Sequence, residues 1–261
     1  MDLPRNQFKL ALGAGQRQFG LWLNMASGYA AEISAGAGFD WLVIDAEHAP
    51  NTVQTVLAQV QALAAYPVHP IVRIAEGSAV TIKQMMDIGV QTILVPMVEG
   101  AGQARELARA MRYPPRGIRG VASSVVRASR WNRIPGYLSK ADAEACLIVQ
   151  IETQAGLTAI EEIAAIDGVD ALFIGPSDLA ASMGHLGNSK LPEVQRAVED
   201  GIRRICKAGK PAGILATDES LVRRYLDLGC SFVGVGLDAS LLCTATQELA
   251  ARYRPLKDAK P

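Results

Sequence analysis

Eight short apolar runs, at residues 19–23, 41–45, 70–73, 92–96, 147–152, 171–175, 212–215 and 232–236, alternate with stretches whose apolar positions recur every three or four residues. The runs are almost continuously apolar, as parallel strands covered on both faces must be, because neither side of the pleat meets water. Between two of them, Val53, Val56, Leu57, Val60 and Leu63 step with a helical period. Residues 80–88 make another such stretch and stop at Gly89, the residue type that most readily takes the left-handed turn beyond a helix end. Eight strand–helix units in 261 residues predict an α/β fold, a (β/α)8 barrel forming one domain over residues 1–261. A doubly wound open sheet is the alternative. It would need a phosphate-binding glycine turn after the first strand, and Asn24-Met25-Ala26-Ser27-Gly28 is not one.

One segment breaks the rhythm. Residues 112–145 are too long for an ordinary helix-to-strand connection and carry Arg116, Arg119, Arg130 and Arg133. A long basic insertion in a compact domain is expected to be a functional loop, here recognising a carboxylate at the distal end of a substrate or forming ion pairs between subunits.

Composition narrows the class. Lys plus Arg and Asp plus Glu balance at 26 each with no polybasic run, which argues against a nucleic-acid or membrane surface. No apolar run approaches the ~18 residues that span a bilayer, and Met1-Asp2-Leu3-Pro4-Arg5 lacks a secretory pattern. Cys146, Cys206, Cys230 and Cys243 have no metal-binding spacing, so free thiols in a reducing cytoplasm are expected.

In a barrel the chemistry sits at the C-terminal ends of the strands. Those ends read Trp22, Asp45-Ala46-Glu47-His48, Arg73, Pro96, Glu152, Asp178, Leu215 and Asp238, whereas the strand starts are mostly apolar. Glu152 and Asp178 each follow an apolar run, and a buried carboxylate calls for a partner. Either they hold a hard divalent cation, or they cap helices and pair with a buried arginine. Oxygen ligands without histidine or cysteine between them favour Mg²⁺ or Mn²⁺, with Co²⁺ possible, over Zn²⁺. His48, beside Asp45 and Glu47, suits a general base at neutral pH. His69 precedes a strand and is expected at the opposite face, while His185 lies on a loop that could approach substrate. Arg73 ends an apolar run and needs an anion, either a protein carboxylate or charge developing on substrate. No lysine ends a strand, which disfavours Schiff-base chemistry. Trp22 and Leu215 are candidate pocket walls.

Four ordered segments carry a resemblance: Asp45-Ala46-Glu47-His48-Ala49-Pro50-Asn51, Tyr113-Pro114-Pro115-Arg116-Gly117-Ile118-Arg119-Gly120, Gln150-Ile151-Glu152-Thr153 and Gly175-Pro176-Ser177-Asp178-Leu179. Together they resemble the HpcH/HpaI aldolases, metal-dependent pyruvate aldolases of the 4-hydroxy-2-oxoheptane-1,7-dioate and 2-dehydro-3-deoxyglucarate type. The resemblance implies a (β/α)8 fold, usually assembled as a homo-hexamer from two trimers. It implies that Glu152 and Asp178 hold the metal, that His48 is the base and that Arg73 stabilises the transition state. Gln150 and Ser177 would contact the pyruvyl group, and Asp87 would raise the basicity of His48. Asp87 falls late on a helix, far from its own strand ends, so a neighbouring subunit or Asp45 is the competing source of that support. Ser177 stands where relatives commonly carry alanine. The implied reaction cleaves or forms 4-hydroxy-2-keto acids through pyruvate enolate and an aldehyde. The alternative uses the same enolate in oxaloacetate decarboxylation or another carbon–carbon bond reaction. A non-catalytic keto-acid binder would bind pyruvate without turnover.

Overall fold

The computed structural model describes residues 1–257. Strands β1 (Gln18–Leu23), β2 (Trp41–Asp45), β3 (His69–Arg73), β4 (Thr92–Val95), β5 (Cys146–Ile151), β6 (Ala171–Ile174), β7 (Ala212–Leu215) and β8 (Cys230–Leu237) pair in chain order and close into a barrel. Every pairing is parallel, including β8 on β1. The apolar runs fall on these strands to within about two residues, because a strand buried on both faces leaves little ambiguity in pattern.

Side chains alternate across each strand, and the two sets make two cores. Trp22, Trp41, Val43, Ile71, Leu94, Ile148, Phe173 and Phe232 fill the barrel interior. Leu42, Ile44, Val72, Ile93, Val149, Leu172 and Val233 face outward under the helices. Gly20 makes the interior possible, since a Cβ there would stand 2.1 Å from the Trp41 ring. Asp45, Arg73 and Gln150 continue the inward series at the strand C-termini, which delivers their polar groups to one mouth.

The other end is plugged. The helix Gln7–Gly13 inserts Phe8 against Trp41 and Phe232, and Asn6 Nδ2 donates to Thr92 Oγ1 at 3.0 Å. His69 sits here as expected, buried, 2.7 Å from Thr92 Oγ1 and stacked on Phe8. Burial alone lowers its pKa to about 4. A base whose folded pKa lies below its unfolded value of 6.5 is neutral in both states above that value, so its burial costs nothing there. As pH falls from 6.5 towards 4 only the unfolded chain takes the proton, and stability drops, by about 3 kcal/mol in full. A His69→Gln variant is therefore expected to flatten the acid limb of a melting-temperature profile between those values; an unchanged limb contradicts this.

The long 112–145 segment lies at this plugged end. It follows the helix Ala101–Ala110 and returns to the start of β5, and a helix-to-strand connection necessarily runs to the strand N-termini. Its Tyr113, Val126, Ala128, Ile134, Tyr137 and Ala141 form a small apolar cluster of their own. The final helix, Asp238–Tyr253, leaves the barrel wall almost wholly exposed, with Leu242, Leu249 and Tyr253 in an apolar stripe at helical spacing.

Candidate active site at the strand C-termini

The β2–β3 register places Asp45 beside Arg73, and this pairing organises the mouth. Arg73 Nε donates to Asp45 Oδ1 at 2.9 Å and Nη2 to Oδ2 at 2.7 Å, a two-pronged fork. Asp45 is fully buried and also accepts from Asn24 Nδ2 at 2.9 Å and from the Glu47 backbone at 3.1 Å. Arg73 Nη1 lies 2.9 Å from Glu47 Oε2, off the hydrogen-bond line, so that oxygen has no directed donor. The guanidinium sits over the Trp22 ring at 5.6 Å. Its anionic partners are thus protein carboxylates, yet the fork commits only Nε–H and one Nη2–H of the five N–H donors, and Arg73 still lines the cavity.

Glu152, one residue past β5, is buried at 2% exposure and makes no ion pair among the described residues. Its Oε1 accepts the Met97 N–H at 2.7 Å and its Oε2 accepts the Gln150 amide. Burial outweighs those two bonds and, with the charges of Asp178 and Glu47, pushes its pKa up to about 7. The backbone at Gly175 presses against it: a Cβ there would lie 2.6 Å from Glu152 Oε2 and 3.0 Å from Gln150 Nε2. Gly175 is also the N-cap of the helix Pro176–Ser182, so Asp178 caps nothing; its carboxylate stands exposed in the first turn, facing the same cavity.

A divalent cation fits these residues. A buried carboxylate without a cation, a second carboxylate close enough to repel it, and the acceptor Gln150 Oε1 with no donor are all oxygen ligands suited to a hard ion. Among the described residues no group of three or more His, Cys, Asp or Glu side chains gathers to hold a metal. Glu152 and Asp178 are the two carboxylates here that could hold such an ion.

The cavity at the mouth measures about 390 Å³ and is lined by Trp22, His48, Arg73, Gln150, Ser177 and Asp178, among others. His48 is largely exposed on the loop after β2, its Nε2 3.9 Å from Glu47 Oε1. That loop is held by Asn51 Nδ2 donating to the Asp45 carbonyl at 2.7 Å. Leu215 joins Trp22 in the wall.

Other expected groups lie elsewhere. Asp87 ends the helix Ala79–Asp87 at the plugged end and pairs with buried Arg119 at 2.9 Å. Within one chain it does not meet His48, and Asp45 touches only the His48 backbone N–H at 3.4 Å. Arg119 lies over Tyr113 at 4.6 Å, and Arg116, Arg119, Arg130 and Arg133 do not line the mouth, since their segment returns to the strand N-termini. His185 pairs with Glu193 at 2.8 Å, outside the cavity. Asp238 serves closure, accepting the Asn24 backbone N–H at 2.8 Å. Sequence reasoning missed two features: the role of Glu47 beside Arg73, and a polar cavity arm containing Lys190 and Asp218. That lysine is exposed at the rim and paired to a carboxylate, not desolvated as an imine-forming lysine must be.

A closed parallel barrel with its charged and polar groups gathered at the strand C-termini defines a (β/α)8 enzyme with a candidate hard-metal site. The HpcH/HpaI aldolase/citrate lyase family model matches residues 18–245, and the chain belongs to that family. It is 57% identical over 254 residues to a hydroxypyruvate/pyruvate aldolase of Pseudomonas aeruginosa, covering 97% of this chain and 95% of the relative. It is 56% identical over 248 residues to a 4-hydroxy-2-oxo-heptane-1,7-dioate aldolase of Escherichia coli, covering 95% of each. A crystal structure of an HpcH/HpaI aldolase/citrate lyase family protein from Burkholderia cenocepacia superposes with a TM-score of 0.92 at 39% identity, covering 95% of this chain and 99% of that one.

Proposed function

We propose that the chain is a divalent-metal-dependent pyruvate aldolase, cleaving or forming 4-hydroxy-2-keto acids through pyruvate enolate. The observation that carries this reading is buried Glu152, without an ion-pair partner among the described residues and bonded to Gln150, which lines the same cavity as Asp178 and Arg73, a fixed guanidinium with N–H donors to spare. A cation held by Glu152 and Asp178 would supply Lewis acidity towards the oxygens of a 2-keto acid. Mg²⁺ or Mn²⁺ suits the all-oxygen donor set best.

The chain's own residues then divide the work. Gln150 orients the pyruvyl group from the barrel floor, and Ser177, at the start of its helix, borders the same space. In the cleavage direction His48 takes the proton of the C4 hydroxyl. The C3–C4 bond breaks, its electron pair passes into the enolate, and the aldehyde leaves. Arg73 donates hydrogen bonds to the oxygen where the enolate charge grows, and Asp45 holds it there without further reorganisation. Solvent protonates C3 to release pyruvate, and His48 gives its proton back to solvent. A panel of 4-hydroxy-2-keto acids assayed for pyruvate release tests this reading. Activity that disappears with EDTA and returns with Mg²⁺ or Mn²⁺ is expected; full activity after chelation contradicts it.

The exposed apolar stripe on the helix Asp238–Tyr253 supports a homo-oligomer, and the resemblance favours a hexamer. A second copy is also the only route by which Asp87 could serve His48. Sedimentation is expected to give a multiple of the 27.8 kDa chain, and a monomer contradicts the assembly. No helix among the described residues is long and apolar enough to cross a membrane. The four free thiols suit a reducing cytoplasm.

A further inference from the structure

The cavity extends past the groups that handle pyruvate. Its far side is a rim built by Ser189 and Lys190, on the loop before the helix Pro192–Lys207, and by Thr217 and Asp218, between β7 and the helix Glu219–Asp227. Nothing in the mechanism above uses these four residues.

The rim is fixed from behind. Buried Tyr225 donates its hydroxyl proton to Gln195 Oε1 at 2.8 Å, and Gln195 Nε2 donates to the Ser189 carbonyl at 2.9 Å. Asp218 is locked as the N-cap of its helix, its Oδ1 accepting the Ser220 N–H at 3.0 Å and the Ser220 hydroxyl at 2.6 Å. Those bonds hold its pKa below the usual carboxylate range, so it stays ionised. Lys190 Nζ stands 3.5 Å from the remaining oxygen, Asp218 Oδ2, on a side chain that is 78% exposed.

The arm therefore presents one immobilised negative charge, an exposed lysine already matched to it, and two hydroxyl side chains. A ligand carboxylate arriving here meets the fixed anion and must draw Lys190 away from it. A hydroxyl-bearing ligand can donate to Asp218 Oδ2 and accept from Thr217, Ser189 or Lys190 with no charge displaced. Resting on the aldolase reading, we propose that this rim selects uncharged, hydroxylated aldehydes over aldehydes that end in a carboxylate.

The test uses addition of pyruvate to two aldehydes, glyceraldehyde and succinic semialdehyde, and compares their kcat/KM values. The unaltered chain prefers glyceraldehyde. Asp218→Asn keeps a capping side chain but removes the charge, and lowers the preference by about fivefold, chiefly through KM for the carboxylated aldehyde. Lys190→Met leaves the cap untouched and the anion unmatched, and raises the preference by a similar factor. A ratio that stays fixed in either variant, or moves the same way in both, overturns the proposal. Exchange of the pyruvate methyl protons in the unaltered chain, measured without aldehyde, reports on the aldolase reading alone. Its absence defeats both ideas, whereas its presence with an unmoved ratio defeats only the rim.

Discussion

Replacing Glu152 by glutamine is expected to lower aldol turnover by about 10³-fold or more while leaving the metal-free protein at least as stable as before. The two effects have one cause. Glu152 is buried among Asp178 and Glu47 with no cation of its own, so its charge is a structural cost unless a metal offsets it. Glutamine has the same shape. Its carbonyl keeps the 2.7 Å bond from the Met97 N–H, and a rotated Gln150 amide accepts from its new N–H with the oxygen that now has no donor. Removal of the uncompensated charge favours the folded apo-protein by about 1–2 kcal/mol, whereas loss of an anionic ligand removes the cation. Calorimetric titration with Mn²⁺ and thermal melts of the stripped proteins separate these effects. A variant that binds Mn²⁺ as well as the parent, or whose stripped form melts well below it, shows that Glu152 is structural.

Arg73→Lys is expected to cost about 10²–10³ in kcat with a much smaller change in KM for the keto acid, because the guanidinium acts on charge that appears only as the enolate forms. Lysine keeps the charge but not the fork: an ammonium cannot meet both Asp45 oxygens and still aim donors into the cavity. Arg73→Met adds a stability loss, towards the lower end of about 3–5 kcal/mol, because Asp45 is fully buried but retains Asn24 and backbone donors. Equal losses in kcat for Arg73→Lys and for a distant surface arginine such as Arg223→Lys would remove Arg73 from the chemistry.

Much of the fold was legible because strands in a closed parallel barrel are apolar on both faces, and no other common element reads that way at such short length. Parity along β2, β3 and β5 then fixes Asp45, Arg73 and Gln150 at one mouth with little help from tertiary contacts. The partner of Arg73 was not legible. A protein carboxylate and charge on substrate were both open until the register set Asp45 beside Arg73 on the neighbouring strand. The arginine-bearing segment does not reach the mouth: its place between a helix and the next strand assigns it to the plugged end, where Arg119 meets Asp87 and Tyr113 and where Arg127 and Arg130 donate to backbone carbonyls. Asp87 falls with them at that end, so its proposed service to His48 depends on a second copy. The Lys190–Asp218 rim could not be read at all, because two loops distant in sequence meet only when the barrel closes.

The central claim is that Glu152, Asp178 and Arg73 form a metal-dependent site for making pyruvate enolate. Its most direct test is exchange of the pyruvate methyl protons with D₂O, followed by NMR without any aldehyde, on protein stripped of metal and then reloaded. Exchange that is absent in the stripped protein, returns with Mn²⁺ or Mg²⁺, and fails to return in Glu152→Gln is the expected result. Exchange that persists at full rate without metal, or in the reloaded Glu152→Gln variant, contradicts the account.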